Sequence, residues 1–175
     1  FALHGGPKYS PDGRFVYFAS RDGWISKYDI YNLKLVAEIR AGINTRNQAV
    51  SADGRYVMIA NYLPHTLVLL DAKDLSPIKL YEVKDASGKT SRVSAVYTAP
   101  PRNSFVAAMK DIPELWEISY DDEPPMGFGT WVHDYRHDSG ENTKLEPFPV
   151  RKIKVSEYLD DFFFDQEYVS LIGAS

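Results

Sequence analysis

The sequence repeats itself, and this repeat limits the possible folds more than any other feature. Residues 10–16 read SPDGRFV, and they return 41 residues later, at 51–57, as SADGRYV. Each copy is followed by β-branched and aromatic residues, a polar break, and an apolar run that ends in Asp29 or Asp71. A period of about 40–45 residues with four short strands per unit is typical of β-propeller blades. The repeat therefore predicts an all-β chain of four-stranded antiparallel blades.

The local sequence agrees with this fold. Each Asp-Gly pair favours a tight turn, because glycine tolerates the positive φ that other residues resist. Alternating apolar and polar residues predict strands at 15–20, 24–29 and 35–40, with matching strands in the second repeat. No segment has sustained apolar spacing at the helical period of 3.6 residues, so we expect no long helix.

Two weaker copies extend the repeat. One begins with PPRNSFV at residues 100–106, and the other with DQEYV at residues 165–169. Dividing 175 residues by the period gives just over four blades. We expect residues 1–175 to be a fragment of a single, larger propeller domain, because an open half-propeller would expose two sheet edges. The pattern breaks at about residues 121–150, which we interpret as an irregular insertion, either a functional loop or a surface excursion.

The composition excludes several classes of protein. The chain is 44% hydrophobic with a net charge of −4, which excludes an intrinsically disordered chain and disfavours nonspecific nucleic-acid binding. It contains no cysteine. Disulfides, thiolate metal sites, cysteine nucleophiles and covalent c-type haem attachment are therefore excluded within this stretch.

Histidine and arginine residues offer the first candidate site. His4 precedes the first inner strand, where a neutral imidazole can ligate a metal or haem iron; an ordinary loop histidine is the alternative. We expect Arg46 and Arg92 to occupy the same place in consecutive repeats, just before each innermost strand. Two guanidinium groups around one propeller face suit a ligand with several carboxylates, and ordinary surface ion pairs are the alternative. His133 and His137 have helical spacing, but no third metal ligand accompanies them.

An acidic pair followed by three phenylalanines provides the second candidate. Asp160 and Asp161 precede Phe162-Phe163-Phe164. Apolar surroundings raise a carboxyl pKa and can produce a proton donor or acceptor. A turn followed by a core strand is the simpler interpretation of the same residues.

The motifs together resemble a known family. The ordered set HGGPKYSPDGR at 4–14, SRDG at 20–23 and YDI at 28–30 is similar to the opening of the heme d1 domain of cytochrome cd1 nitrite reductases. The similarity covers most of residues 1–120, including Arg46 and Arg92, and resumes at 156–175. The resemblance implies an eight-bladed propeller that holds heme d1 on its axis, with His4 as the proximal iron ligand.

One departure from the nitrite reductase pattern bears on function. That family has a distal histidine in a Leu-His-Asp context, where this chain has Leu159-Asp160-Asp161. Residues 22–28 and 157–165 look closer to the NirN-type branch, which dehydrogenates dihydro-heme d1 by converting a propionate to an acrylate. NirF-type assembly proteins are the next alternative, followed by a nitrite reductase and by a non-catalytic scaffold propeller.

This resemblance implies roles for the candidate residues. It implies an oxidoreductase of heme d1 biosynthesis, with heme d1 or dihydro-heme d1 bound by His4, Arg46 and Arg92. Asp160 is the candidate proton acceptor, and heme c in a domain outside this chain is the electron acceptor. The expected partners are nitrite reductase and other heme d1 assembly proteins, the expected location is the periplasm, and the expected pathway is denitrification.

Overall fold

The computed structural model describes residues 5–128 and 146–174. Apart from a 3-10 turn at Pro100–Arg102, the regular structure in these residues is entirely β. The strands are β1 (Lys8–Tyr9), β2 (Phe15–Ala19), β3 (Trp24–Asp29), β4 (Lys34–Arg40), β5 (Asn44–Val50), β6 (Tyr56–Leu63), β7 (Thr66–Asp71), β8 (Pro77–Glu82), β9 (Val93–Ala99), β10 (Ser104–Met109), β11 (Glu114–Ser119), β12 (Val150–Lys154), β13 (Asp161–Phe164) and β14 (Leu171–Ala174). None of the described residues forms a helix long and apolar enough to cross a membrane.

The strands form consecutive antiparallel sheets, as the repeat predicts. Blade 1 is β1–β4, blade 2 is β5–β8 and blade 3 is β9–β12, each with its strands in sequence order. Strands β13 and β14 pair separately and correspond to the first half of blade 4. The all-β prediction is confirmed, and the strands predicted in blade 1 match β2, β3 and β4 to within a residue.

Blade 3 explains why simple division overestimates the number of blades. Its last strand, β12, pairs with β11, so that Leu115 lies opposite Ile153. About thirty residues (120–149) separate these two strands, whereas a few residues connect them in blades 1 and 2. The described part of the chain therefore holds three complete blades and two strands of a fourth. His4, His133 and His137 lie outside the described residues.

The first strand of each blade is the innermost one. β1 contacts β5, β5 contacts β9, and β9 contacts β13, so equivalent strands of consecutive blades lie side by side. The last strands are on the outside, where Leu35 and Leu80 are exposed. This arrangement puts the starts of β5, β9 and β13 at the same end of the blades.

Both faces of blade 2 are buried, and the side chains of its strands alternate between the two faces. In β6, Val57 and Ile59 pack in the core shared with blade 1, whereas Met58 and Ala60 pack in the core shared with blade 3. Successive side chains of a strand point to opposite faces, so one strand serves two interfaces. Interdigitated apolar residues of this kind hold the blades together.

The repeated motif forms the turn between the first and second strands. In blade 1 the Ser10 Oγ accepts a hydrogen bond from the Phe15 N–H at 2.9 Å, and in blade 2 Ser51 and Tyr56 repeat this bond at 2.9 Å. Gly13 supports the first turn with a φ of +68°. We call this end of the blades, with residues 10–15 and 51–56, the turn end.

Candidate functional site

The three predicted site residues within the described part of the chain lie at the opposite end of the blades. Arg46 is the third residue of β5, Arg92 directly precedes β9, and Asp160 directly precedes β13. Since these inner strands belong to consecutive blades, the three residues lie along one edge of the inner surface. We call this end the rim, defined by Arg46, Tyr62, Arg92, Lys110, Asp111 and Asp160.

The expectation that Arg46 and Arg92 share one repeat position is wrong in detail. Arg92 lies just before its inner strand, but Arg46 lies within one, where the pairing register shifts between Thr45 and Asn47. Such irregularities redirect side chains from the regular alternation of a strand. The offset of the two arginines in the repeat therefore does not separate their guanidinium groups.

Both guanidinium groups converge on the ring of Tyr62. The Cζ atom of Arg46 lies 5.7 Å from the ring centroid of Tyr62, and the Cζ atom of Arg92 lies 5.4 Å from it. A cation over an aromatic face is attracted by the negative charge density of the ring. Tyr62 thus brings together two positive charges from different blades, and two such charges attract an anionic ligand.

Asp111 fixes the orientation of Arg92. The Asp111 carboxylate accepts hydrogen bonds from the Arg92 Nε at 2.9 Å, from its Nη2 at 2.6 Å and from its backbone N–H at 3.0 Å. The Asp111 N–H donates to the Ser91 Oγ at 2.9 Å, and this bond holds Asp111 in place beside Arg92. The side-chain hydrogen bond with Arg92 is the main reason that the pKa of Asp111 falls to about 2.

Asp160 forms a different kind of ion pair. Its Oδ1 accepts a hydrogen bond from the Lys110 Nζ, and the side chains of Lys110 and Asp160 are 29% and 52% exposed. This hydrogen bond lowers the pKa of Asp160, and the positive charges of Lys110, Arg46 and Arg92 lower it further. The expectation that neighbouring aromatics raise the pKa is wrong for Asp160, because it faces cations.

The phenylalanine run follows the simpler of the two interpretations. Residues 161–164 form β13, and Phe162 is buried while Phe163 is exposed. The Phe162 ring packs edge-on against Tyr97 of blade 3, at a centroid distance of 5.0 Å. The run is therefore a core strand that places Asp160 at the rim.

The chain approaches the rim closely at Gly5. This residue has a φ of +71°, and a Cβ atom built on it would lie 2.9 Å from the Asn47 Oδ1 and 3.3 Å from the Arg46 carbonyl oxygen. Only glycine fits both the backbone angle and the space. The residue that follows His4 in the sequence thus lies against the strand that carries Arg46.

The described residues hold no group of three or more histidine, cysteine, aspartate or glutamate side chains that could bind a metal ion. His65 is the only histidine among the described residues, and its Nδ1 lies 2.8 Å from the Thr90 Oγ1. The rim is instead a charged surface, with three cationic side chains, two carboxylates and one aromatic ring. Such a surface suits a carboxylate-bearing, flat molecule.

Three residues of the rim are absent from the sequence-based prediction: Tyr62, Lys110 and Asp111. Tyr62 is a half-buried aromatic near the end of an apolar strand, and Lys110 and Asp111 lie in the turn that follows β10. In blade 1 the corresponding turn contains Arg21 and Asp22, so the repeat marks the position as polar. It does not show that Lys110 pairs with Asp160 of the next blade.

The family model described as Cytochrome D1 heme domain matches residues 1–143. The chain belongs to this family. The match confirms the resemblance noted in the motifs between residues 4 and 30. The region matched includes Arg46, Tyr62, Arg92, Lys110 and Asp111.

Two curated relatives in this family are similar to the chain. Dihydro-heme d1 dehydrogenase of Pseudomonas aeruginosa is 54% identical over 175 residues, which are all of this chain and 31% of that protein. Protein NirF of Stutzerimonas stutzeri is 30% identical over 140 residues, which are 75% of this chain and 35% of that protein. The chain thus spans about a third of the length of either relative.

Solved structures give the same fold. The structure of dihydro-heme d1 dehydrogenase NirN in complex with DHE matches all of this chain and 33% of that chain, with 55% identity and a TM-score of 0.83. Hydrazine synthase of Kuenenia stuttgartiensis matches with a TM-score of 0.68 at 16% identity and covers 94% of this chain and 40% of its own, which supports the fold alone.

Proposed function

We propose that this chain is the tetrapyrrole-binding part of a dihydro-heme d1 dehydrogenase, an oxidoreductase of heme d1 biosynthesis. The observation that carries the proposal is the convergence of Arg46 and Arg92 on Tyr62 at the rim. The 54% identity to a dihydro-heme d1 dehydrogenase over the whole chain supports the choice of reaction.

The residues of the rim fit the peripheral groups of such a ligand. Guanidinium groups bind carboxylates through two parallel hydrogen bonds, so Arg46 and Arg92 are suited to the carboxylated side chains of heme d1 or dihydro-heme d1. Tyr62 offers a flat aromatic ring that both guanidinium groups contact. Fixing the carboxylates holds the reacting side chain in one place, which lowers the entropic cost of reaction.

His4 is the proposed proximal ligand of the iron. This residue lies outside the described residues, so the assignment rests on the motif at residues 4–14. Its neighbour Gly5 packs against the backbone of Arg46, which supports a role at the rim. A histidine imidazole is an established proximal ligand of haem iron.

The reaction removes two hydrogens from a propionate, so that a C–C single bond becomes the C=C bond of an acrylate. Two electrons and two protons leave, of which Asp160 would take one proton and solvent the other. When bound, the iron macrocycle would supply a route for the electrons to heme c in another domain of the full-length protein. Asp160 is the proposed acceptor of a proton, and its pairing with Lys110 keeps it ionised.

The same carboxylate disfavours nitrite reduction. Its lowered pKa means that Asp160 is ionised at neutral pH, so it has no proton to donate and repels the nitrite anion. A histidine, whose unperturbed pKa is about 6.5, is a far better donor at that position. This difference favours the dehydrogenase over the nitrite reductase.

The proposed biological setting follows from the same assignment. Dihydro-heme d1 dehydrogenation serves the maturation of nitrite reductase for denitrification, in the periplasm. Nitrite reductase and NirF-type assembly proteins are the proposed protein partners, and the similarity to NirF supports this context.

The test is a pair of turnover assays with the full-length protein. With dihydro-heme d1 and an electron acceptor, we expect a product lighter by two hydrogen atoms in mass spectrometry; with nitrite, we expect negligible turnover. Rapid nitrite reduction without conversion of the dihydro form would contradict the proposal. A full-length protein that shows no spectral change with heme d1 would indicate a scaffold instead.

The iron ligand has its own test. His4→Ala should weaken heme d1 binding strongly and alter its low-spin absorption spectrum. Unchanged binding and an unchanged spectrum would show that another residue ligates the iron.

A further inference from the structure

We propose that Lys110 is a third carboxylate-binding residue of the rim. In the free protein its ammonium group pairs with the Asp160 carboxylate, and a carboxylate of the bound ligand then displaces Asp160. This inference rests on the proposed function in one respect, namely that the ligand is a tetrapyrrole with several carboxylates. It gives Asp160 a role in binding in addition to its proposed role as a proton acceptor.

The two ion pairs of the rim differ in how firmly they are held. The Arg92–Asp111 pair has two side-chain hydrogen bonds and one from the backbone, and Asp111 is itself held by Ser91. The Lys110–Asp160 pair has one hydrogen bond, which joins the two side chains, and the Asp160 side chain is about half exposed. Singly bonded, exposed ion pairs are the weakest kind, so this pair is the one that a ligand can open.

The backbone keeps Lys110 beside Arg92 while its side chain moves. The Lys110 N–H donates to the Arg92 carbonyl oxygen at 2.9 Å, so these two residues are neighbours across blade 3. Asp160 belongs to the start of the next blade. A rotation of the long lysine side chain can therefore transfer its ammonium group from Asp160 to a carboxylate held by Arg92, with no change in the sheets.

The exchange has a chemical consequence. Lys110 provides the largest of the influences that lower the pKa of Asp160. When Lys110 moves to the ligand, the pKa of Asp160 rises towards its ordinary value, although Arg46 and Arg92 still lower it. A carboxylate with a higher pKa is a stronger base, so ligand binding prepares Asp160 to accept a proton.

The experiment measures the affinity of the full-length protein for two iron porphyrins that differ in carboxylate number. Iron coproporphyrin III carries four carboxylates, and iron mesoporphyrin IX carries two. Dissociation constants come from absorbance titrations of the wild type, Asp160→Asn and Lys110→Gln. Asp53→Asn is the matched control, because Asp53 forms a similar exposed pair with Arg55 at the turn end, with an N–O distance of 2.7 Å.

We expect Asp160→Asn to tighten binding of the four-carboxylate porphyrin by about three- to tenfold, because its competitor for Lys110 is removed. Lys110→Gln should weaken that binding by a similar factor and reduce the preference for four carboxylates over two. Asp53→Asn should leave both constants unchanged.

The sign of the Asp160→Asn effect decides the inference. Weaker or unchanged binding in this variant, in a protein whose melting temperature is preserved, would overturn the exchange and leave the proposed function intact. Absence of binding of both porphyrins and of heme d1 by the wild type would overturn the proposed function as well. Lys110→Met provides a second variant with the same expected loss.

Discussion

The turn end and the rim are built from the same repeat, but their polar residues find partners differently. At the turn end, Ser10 and Asp12 bond to each other and to the next few residues, and Arg14 pairs with Asp29 of the same blade at 3.0 Å. At the rim, Arg46 of blade 2 and Arg92 of blade 3 meet over one ring, while Lys110 of blade 3 pairs with Asp160 of blade 4.

This difference explains why the turns that form the fold are repeated, whereas the residues of the candidate site are not. A turn whose hydrogen bonds are local can be copied from blade to blade, and the Ser-x-Asp-Gly turn is indeed repeated at 10–13 and 51–54. A site formed across blades needs a different residue from each, so the repeat must diverge there.

The largest expected effect comes from removing both rim arginines. Arg46→Gln with Arg92→Gln removes two charged hydrogen-bonding groups, each worth about 1.5–3 kcal/mol. We expect heme d1 affinity in the full-length protein to fall by about a hundredfold or more, since every 1.4 kcal/mol is about tenfold. Absorbance titration measures this loss.

The control for that variant is taken from the turn end. Arg14→Gln with Arg55→Gln removes two arginines whose side chains are similarly exposed, at 49% and 50%, and which pair within their own blades. This variant should keep wild-type affinity. Equal losses in both double variants would mean that net charge alone attracts the ligand.

Acid should weaken the fold at both ends. Hydrogen bonds from Asn32 and Arg14 lower the pKa of Asp29 at the turn end to about 2, and the bond from Arg92 lowers that of Asp111 at the rim to about 2. A carboxylate whose folded pKa lies below its unfolded value near 3.9 stabilises the fold above that value and loses this effect as the pH falls.

The denaturant midpoint should therefore fall between about pH 4 and pH 2. Asp29→Asn and Asp111→Asn should each flatten this dependence, and Asp111→Asn alone should weaken heme d1 binding at neutral pH. If Asp29→Asn weakened binding as much, the two ends would be coupled.

A smaller effect is expected from the hydrogen bond that Tyr17 makes between blades 1 and 2. Its hydroxyl donates to the Ala72 carbonyl oxygen at 3.0 Å, joining blade 1 to blade 2. Burial raises the pKa of Tyr17 to about 12, so the hydroxyl remains a donor at any ordinary pH. Tyr17→Phe should cost about 0.5–1.5 kcal/mol of the free energy of unfolding and leave ligand affinity unchanged. A change in affinity would show that the packing between blades 1 and 2 affects the rim.

The sequence predicts local features of this chain better than those that span blades. The strands of blades 1 and 2 follow from alternation and turn chemistry, both of which are local. The sequence does not predict strand β12, because about thirty residues separate it from its partner β11 and the 41-residue repeat does not cover such a gap.

The site shows the same division. The sequence proposes Arg46, Arg92 and Asp160 as candidates, because each lies near the start of an inner strand or within a resemblance to a family. It does not propose Tyr62 or Lys110, since these residues contact Arg92 and Asp160 of other blades. The sequence gives the wrong direction for the pKa of Asp160 for the same reason: Lys110, its ion-pair partner, is 50 residues away in the sequence.

A structure of the full-length protein with dihydro-heme d1 bound tests the central claim most directly. The account predicts tetrapyrrole carboxylate oxygens within about 3 Å of guanidinium nitrogens of both Arg46 and Arg92, beside Tyr62. A ligand whose carboxylates lie elsewhere, with Arg46 and Arg92 still against Tyr62 and facing solvent, would contradict it.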